Sequence, residues 1–360
     1  MLCRLRPSRI GARPVAVSAS TGDSGGVARP GSQVRALRAI LLVGGVALLA
    51  FLVVRVGASA LVSILRRLEW WQLVLVCLPF GLGMAVDTLG WRYAFAGEPP
   101  PYPRMLAART AGEALNLVTA LGSVGGEAVK VWLLRPSVPY RESVPSVVID
   151  KTTSAIAQAL FLLLGLIVAV TVVPVDARIV TGMLVLLAVE TLLVGGFLAF
   201  QLTGLVRRAG HLLAWGGLIA DTSHAERLDA NLRHFYRRRW RQFLLSTGCH
   251  LCGWILGVLE AFVMLSVLAM PAGVGTAAVI ETLGSGVRFA SFLVPGSLGV
   301  LEGAYTGLFA ALGLGASAGL AFSLVGRARQ AVWIGVGLVV LVAARVQARS
   351  AEGVLRRAAP

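Results

Sequence analysis

Charged residues are scarce in this chain, and their scarcity excludes an ordinary soluble fold. Asp, Glu, Lys and Arg make up only 14% of the 360 residues, whereas soluble chains carry about 25%. Hydrophobic residues make up 57%, and the mean hydropathy is +0.80. The sequence therefore predicts an integral membrane protein. The net charge of +16 does not indicate nucleic-acid binding, because the basic residues cluster between apolar segments, as in loops that face anionic lipid.

Cysteine and histidine are also rare, at four residues each, which leaves little material for metal or covalent chemistry. Cys249 and Cys252 form a single Cys-x-x-Cys pair around His250, which is weak evidence for zinc without a second pair. No disulfide framework is implied. The chain lacks a Ser nucleophile elbow, a His-Glu-x-x-His motif and a Walker loop. We therefore expect no metal, no cofactor and no enzymatic activity.

Long apolar runs, in contrast, are abundant. A helix needs about 20 residues to cross roughly 30 Å of hydrocarbon, and six runs meet this length: 38–57, 70–91, 146–173, 178–202, 243–269 and 317–343. Residues 1–38 are predicted to form a disordered basic tail, 39–345 a transmembrane domain, and 346–360 a basic C-terminal tail. Within the domain, amphipathic pieces of the basic loop 203–242 predict an interfacial helix on the inner leaflet, and a solvated basic linker is the alternative.

Two further apolar segments, 106–135 and 276–313, are interrupted. The first contains Gly122-Ser123-Val124-Gly125-Gly126, and the second contains Val294-Pro295-Gly296-Ser297-Leu298-Gly299. Such runs disfavour a continuous helix. We expect each segment to form two short helices in a re-entrant hairpin; full spanning is the alternative. The predicted fold is an all-α polytopic membrane protein with about six full transmembrane helices and two broken hairpins.

The distribution of arginine predicts the orientation. The N-terminal tail, the 203–242 loop and the chain after Ala344 are strongly basic, so both termini and the loop are expected in the cytoplasm. In this topology, crossing 70–91, the first hairpin and crossing 146–173 form one unit. Crossing 243–269, the second hairpin and crossing 317–343 form another that runs in the opposite direction. The chain is therefore predicted to contain an inverted repeat and to lie in the inner membrane.

Charged side chains in and near the broken segments form the candidate site. Charges in hydrocarbon are costly and usually face a cavity or a partner, and glycine-rich breaks expose helix N-termini that favour anions. The helical repeat places Arg109, Glu113 and Asn116 on one face, and Glu281 and Arg288 on another. The candidate substrate-binding residues are Arg109, Glu113, Asn116, Gly125, Gly126, Glu127, Lys130, Glu281, Arg288, Pro295, Gly296, Gly299, Glu302, Arg327 and Arg329. The alternative is that these charges pair with one another and only stabilise helix packing.

Glu127 and Glu302 are each expected to begin the second helix of a hairpin. The nearest cations in sequence, Lys130 and Arg288, are their predicted partners. Because no ATP site is visible, transport would be facilitated or ion-coupled, and the two glutamates are candidate proton carriers. Three other acidic residues stand alone on their helices and fit a structural or a cavity-lining role equally well: Asp87, Glu190 and Glu260.

The motifs around these residues resemble a known family. Asn116 to Lys130 resembles the first motif of the flippase-like family typified by the membrane domain of lysylphosphatidylglycerol synthase. Val294 to Gly303 resembles the second motif, Ser323 to Arg329 also matches, and the resemblance covers roughly residues 40–345. Within the family, the chain is similar to a branch associated with hopanoid biosynthesis, which has counterparts of His250, Trp254 and Glu260. It departs from the family in lacking a proline at Thr119-Ala120-Leu121 and in having Leu301 where a polar residue is frequent.

The resemblance implies that the protein moves a lipid between leaflets. The expected cargo has a polar head and is a hopanoid, an aminoacylated phospholipid or a polyprenyl-linked lipid. Membrane lipids are the expected partners, with lipid-biosynthesis enzymes as further candidates. Two rivals remain: an enzyme that modifies lipid heads within the membrane, and a scaffold for a lipid-synthesis complex. The lack of a nucleophile constellation disfavours the enzyme, and a scaffold would not need charged broken helices.

Overall fold

A computed structural model describes residues 69–118, 124–173, 175–203, 205, 223–291 and 294–358. Over these residues the chain forms ten α-helices and one short 3-10 helix, and no strand. The helices are α1 (Trp70–Tyr93), α2 (Tyr102–Val118), α3 (Val124–Leu134), α4 (Tyr140–Thr171), α5 (Ala177–Leu202), α6 (Ser223–Arg238), α7 (Trp240–Val267), α8 (Val274–Ala290), α9 (Val300–Ala311) and α10 (Ala316–Ala358). The predicted all-α fold is confirmed.

Five of these helices are long and apolar enough to cross a membrane: α1, α4, α5, α7 and α10. They correspond to five of the six predicted crossings, while the sixth, 38–57, lies outside the described residues together with the tail 1–38. α4 begins at Tyr140, earlier than predicted. α10 runs for 43 residues, so the backbone of the predicted C-terminal tail is helical through Ala358.

Both broken segments form pairs of short helices. α2 and α8 have 17 residues each, whereas α3 has 11 and α9 has 12. At about 1.5 Å per residue, α3 and α9 extend only about 17 Å, roughly half of the hydrocarbon thickness. Neither of these two helices can cross a bilayer alone. The re-entrant path of the hairpins stays a prediction.

The second break has the backbone conformation that its glycines predict. A 3-10 turn at Pro295–Ser297 precedes α9, with φ of 59° at Gly296 and 77° at Gly299. Glycine adopts positive φ without the Cβ clash that other residues suffer. In the first segment, residues 119–123 lie outside the described residues. The prediction that Gly125 and Gly126 belong to a non-helical break is wrong, because both are already in α3.

The two predicted repeats are interleaved. α1 packs against α7, α2 packs against α10, and α8 packs against α4. The first helix of each broken segment therefore contacts the last crossing of the other repeat. These matching contacts are consistent with a twofold relation between the two repeats. That the repeats run in opposite directions across the membrane stays a prediction.

Helix α6 lies within the basic 203–242 loop. Its apolar residues Leu232 and Phe235 are buried against a cluster that includes Trp91 and Phe95. The Tyr236 hydroxyl donates to Gln201 Oε1 at 2.6 Å. A solvated linker would not bury these side chains. An interfacial helix would place its apolar face in lipid, and for Leu232 and Phe235 this expectation is wrong. Their apolar surface is removed from water by packing against the protein instead.

Candidate functional site

A cavity of about 750 Å³ lies among α1, α2, α4, α5 and α7 to α10, and this volume is within the usual range of small-molecule sites. Part of its wall is apolar, including Met84, Trp254, Met264, Phe289 and Phe322. Five acidic and five basic side chains also line it: Asp87, Glu113, Asp150, Glu260 and Glu281, and Arg109, Lys151, Arg288, Arg327 and Arg329. The cavity thus combines apolar surface with balanced charge, as an amphiphile requires.

Its charged residues fall into two clusters. We call the group beside α2 and α3 the first charge cluster, which consists of Asp87, Arg109, Glu113, Glu127, Lys130, Asp150, Lys151 and His250. We call the group beside α8 and α9 the second charge cluster, which consists of Glu260, Glu281, Arg288, Glu302, Arg327 and Arg329. Each broken segment therefore contributes to one cluster.

An arginine–aspartate pair joins α2 to α4 in the first charge cluster. Arg109 Nη2 lies 3.0 Å from Asp150 Oδ1, and both side chains are buried. The same nitrogen donates to the carbonyl oxygen of Asp87 on α1, at 3.0 Å. Asp150 also faces His250, whose Nε2 is 3.0 Å from Asp150 Oδ1. Arg109 therefore ties three helices together at the cavity wall.

Lys130 is the other buried cation of this cluster. It is fully buried, and its Nζ donates to Glu113 Oε1 at 3.0 Å and to Glu127 Oε1 at 3.1 Å. Glu127 also pairs with Lys151 of α4, at 2.9 Å. The predicted pairing of Glu127 with Lys130 is confirmed. Lys130 is also shared with Glu113, whose side chain is one-third exposed and lines the cavity.

Asn116 and Gly126 explain how α2 and α3 approach each other. The backbone N–H of Gly126 donates to Asn116 Oδ1 at 2.8 Å, which satisfies one of the free amides at the start of α3. A Cβ at Gly126 would overlap the carbonyl oxygen of Gly112. Glycine is therefore required here by close helix contact rather than by a break.

The second charge cluster contains the predicted pair on α8. Arg288 forms an ion pair with Glu281 on the same face of α8, as expected, and its Nη1 donates to the Tyr305 hydroxyl at 3.3 Å. Arg329 of α10 pairs with Glu260 of α7 at 2.5 Å. These contacts connect α8 to α9 and α7 to α10 around one side of the cavity.

Glu302 is the most enclosed acidic residue of this cluster. Its side chain is fully buried; Oε2 accepts from the Gly299 N–H at 2.7 Å, and Oε1 accepts from Arg327 Nε at 2.7 Å. Arg327 Nη1 also donates to the Gly296 carbonyl at 2.6 Å. The prediction that Arg288 pairs with Glu302 is wrong, because α10 places Arg327 against the break while Arg288 is engaged by Glu281.

All but one of the fifteen predicted site residues divide into two groups. Those that line the cavity are Arg109, Glu113, Glu281, Arg288, Arg327 and Arg329. Eight others do not line it: Asn116, Gly125, Gly126, Glu127, Lys130, Gly296, Gly299 and Glu302. The side chain of Pro295 is outside the part of the chain that the structure describes, so Pro295 is assigned to neither group. The second group shapes the breaks and pairs with lining residues rather than facing the cavity.

The sequence did not place Asp150, Lys151 and His250 in the candidate site, nor assign Asp87 and Glu260 to it. The available signal was the presence of a charge or an imidazole inside an apolar run. The charged residues that line the cavity differ in their exposure. Four have side chains that are about one-third exposed: Asp87 at 36%, Glu113 at 33%, Lys151 at 38% and Arg288 at 32%. These four are the groups that a bound molecule would meet.

The described residues give no basis for assigning a metal, since no three His, Cys, Asp or Glu side chains among them are grouped as ligands. Cys249 and Cys252 are free thiols on α7. The part of the site that the structure describes is built from ion pairs and apolar side chains.

Comparison with known proteins identifies the family. The chain is 26% identical over 316 residues to a UPF0104 membrane protein of Methanothermobacter thermautotrophicus, covering 78% of this chain and 86% of that protein. No solved structure matches the chain. The sequence profile of the lysylphosphatidylglycerol synthase transmembrane region matches residues 37–343. The chain is therefore a polytopic α-helical membrane protein that belongs to the family of the lysylphosphatidylglycerol synthase transmembrane region.

Proposed function

We propose that the protein translocates a lipid with a polar head between the leaflets of the inner membrane. The observation that carries this proposal is the cavity of about 750 Å³, in which five acids and five bases adjoin an apolar wall. A soluble ion would not need the apolar surface, and an acyl chain alone would not need the charges. An amphiphile uses both.

The accessible charges suggest how a head group is held. Lys151 and Arg288 offer donors to a phosphate, while Asp87 and Glu113 offer acceptors to an ammonium or a hydroxyl. The cargo classes that fit are a hopanoid with a polar side chain, an aminoacylated phospholipid and a polyprenyl-linked lipid. The described residues offer ion pairs rather than an activated nucleophile, so we propose movement of the lipid without a change in its covalent structure.

The topology belongs to the same proposal. We place both termini and the 203–242 loop in the cytoplasm, on the strength of their arginine content. Ser223 begins α6 in this loop. In a cysteine-free background, Ser223→Cys should resist an impermeant thiol reagent on intact cells and react after the cells are opened; reaction on intact cells would reverse the topology.

The experiment that tests translocation begins with native mass spectrometry of the purified protein, to identify lipid that copurifies. The protein is then placed in vesicles of phosphatidylethanolamine and phosphatidylglycerol that contain acyl-labelled forms of the copurified lipid and of both bulk lipids. A membrane-impermeant quencher reports how much label crosses to the inner leaflet.

We expect the protein to accelerate crossing and Arg288→Gln to slow it, because the substitution removes an accessible cation from the cavity. Arg238→Gln, on the exposed face of α6, is the matched control and should behave as the wild type. The mass of the labelled lipid should not change. A new lipid mass that depends on the protein would favour the enzyme instead, and crossing no faster than in empty vesicles would contradict translocation.

A further inference from the structure

The first charge cluster contains an imidazole between two carboxylates. His250 of α7 is fully buried; its Nδ1 lies 2.8 Å from Asp87 Oδ1 on α1, and its Nε2 lies 3.0 Å from Asp150 Oδ1 on α4. The contact with Asp150 is close but is not aligned as a hydrogen bond. A neutral imidazole can donate from one nitrogen only, so two facing carboxylates favour the doubly protonated ring.

The balance of charge in the cluster supports the same protonation state. Its four carboxylates are Asp87, Glu113, Glu127 and Asp150, and its permanent cations are Arg109, Lys130 and Lys151. With a neutral His250 the cluster carries one uncompensated negative charge. A protonated His250 neutralises it. Uncompensated charge away from water is costly, so the cluster favours a bound proton while no other cation is near.

Glycines make room for this arrangement. A Cβ at Gly90 would lie 2.9 Å from His250 Nε2, and a Cβ at Gly253 would lie 2.6 Å from Asp87 Oδ1. α1 and α7 therefore meet through glycines on both sides of the imidazole. The hydroxyls of Thr153 and Ser246, 2.8 Å apart, join α4 to α7 one turn from His250. The backbone is shaped to hold the ring between the two carboxylates.

Other charged or titratable groups on the helices packed against α7 lie further along it. Glu281 of α8 lies near Gly257, and Arg329 of α10 pairs with Glu260, about two and three turns away. Tyr236 of α6 contacts Phe243, about two turns in the other direction. Behind Asp150 stand Arg109 and, further off, Lys130. The groups that face His250 directly are thus Asp87 and Asp150.

Asp87 gives this buried ring a route to the cavity. His250 and Asp150 are at most 1% exposed, whereas the Asp87 side chain is 36% exposed and lines the cavity. When the proton leaves, the Nδ1–H bond of His250 breaks and the proton passes to the Asp87 carboxylate and then to water in the cavity. The imidazole is left neutral, with its remaining proton on Nε2.

We propose that Asp87, His250 and Asp150 form a proton-binding site that exchanges its proton with the cavity and couples translocation to proton movement. Coupling follows from linkage between two binding events. A positively charged group binds in the cavity more tightly when the site has lost its proton, and the site binds its proton more tightly when the cavity is empty. Glu127 and Glu302, the carriers expected from the sequence, are less suited because each is held by cations and by a helix start. The coupling rests on the proposed function, whereas the proton site does not.

The site itself is tested by nitrogen NMR of the full-length protein labelled with 15N-histidine in detergent micelles. The chain has four histidines, so the pair of imidazole nitrogen signals that belongs to His250 should be absent in His250→Gln. If that variant does not fold, His211→Gln, His224→Gln and His234→Gln assign the remaining signal by elimination. At neutral pH we expect both nitrogens of His250 to carry protons, and Asp87→Asn to shift its titration to lower pH. A singly protonated His250 at neutral pH, or a titration unchanged in Asp87→Asn, overturns the proposal.

Coupling is tested in vesicles of phosphatidylethanolamine and phosphatidylglycerol with acyl-labelled phosphatidylethanolamine as the probe. One pH unit across the membrane is equivalent to a factor of about ten for one coupled proton, so the leaflet ratio of the probe should shift by up to that factor. His250→Gln should abolish the shift, and the exposed His234→Gln should retain it. A shift that persists in His250→Gln overturns the coupling. Absence of probe movement at every pH counts against the proposed function for this lipid, and the NMR result still decides the proton site.

Discussion

The two broken segments place a glutamate at the same point and use it differently. Glu127 lies in the first turn of α3, is 15% exposed, and pairs with Lys130 of its own helix and Lys151 of α4. Glu302 lies in the first turn of α9, is fully buried, and pairs with Arg327 of α10 while accepting from the N–H of Gly299. The first glutamate shares Lys130 with Glu113, which lines the cavity, whereas the second is held by Arg327 and by the backbone of its own break.

This difference distinguishes a network of ion pairs shared among α2, α3 and α4 from a break that is closed by hydrogen bonds to its own backbone. Lys130 links Glu127 to Glu113, and Lys151 also pairs with Glu127, so a change at the cavity reaches the first break through ion pairs. Arg327 joins Glu302 to the carbonyl of Gly296, so the second break is closed by hydrogen bonds to its own backbone. We infer that the second break is the more rigid of the two.

The largest effect that tests this comparison is on stability. Glu302→Gln places an amide group where Arg327 and the Gly299 N–H both require an acceptor, and removing one partner of a buried ion pair costs roughly 3–5 kcal/mol. Glu127→Gln should cost less, roughly 1–3 kcal/mol, because Lys130 keeps Glu113 and Lys151 is partly exposed. Thermal unfolding of the purified variants in detergent measures both.

Exposed Glu98→Gln provides the baseline for these two variants. The vesicle assay completes the comparison, since translocation per folded molecule should fall sharply in Glu127→Gln and less in Glu302→Gln. Equal destabilisation by the two substitutions would show that the breaks do not differ in rigidity. Full translocation by Glu127→Gln would remove the first break from the mechanism.

A second test uses the glycines, which serve the two breaks for different reasons. Gly126→Ala places a methyl group against the carbonyl of Gly112, and overpacking of this kind costs about 1–3 kcal/mol. Gly296→Ala meets no such neighbour, because a Cβ there would lie 3.7 Å from the nearest side chain, but it must adopt a φ of 59°, which costs about 1–2 kcal/mol.

Substitution by asparagine distinguishes the two causes, which are close helix contact in the first break and positive φ in the second. At position 296, Asn should recover part of the loss suffered by Ala, because asparagine tolerates left-handed backbone better than alanine. At position 126, Asn should be worse than Ala, because it is larger. Recovery by Asn at position 126 would contradict the close-contact explanation. Unfolding temperatures of the four variants measure the pattern.

Much of the fold follows from the sequence, because apolar runs of membrane length and interruptions by glycine and proline are local features. Pairs within one helix or hairpin segment also follow from spacing, as for Glu127 with Lys130 and Glu281 with Arg288. Pairs between distant helices do not. The contacts of Glu302 with Arg327 and of Asp87 with His250 depend on which helices pack together, and no local pattern contains that information.

The smallest expected effect comes from a buried glutamate outside both breaks. Glu190 of α5 is 1% exposed, and neither carboxylate oxygen has a hydrogen-bond partner among the described residues. If pairing rather than burial makes Glu302 costly to replace, Glu190→Gln should lower the free energy of unfolding by about 1 kcal/mol or less, or stabilise the protein. An unpaired carboxyl gains nothing from ionising in an apolar environment, and a neutral amide is no more costly to bury. Thermal unfolding beside Glu302→Gln gives the answer: a loss as large as that of Glu302→Gln would mean that burial, and not the ion pair with Arg327, sets the cost at the second break.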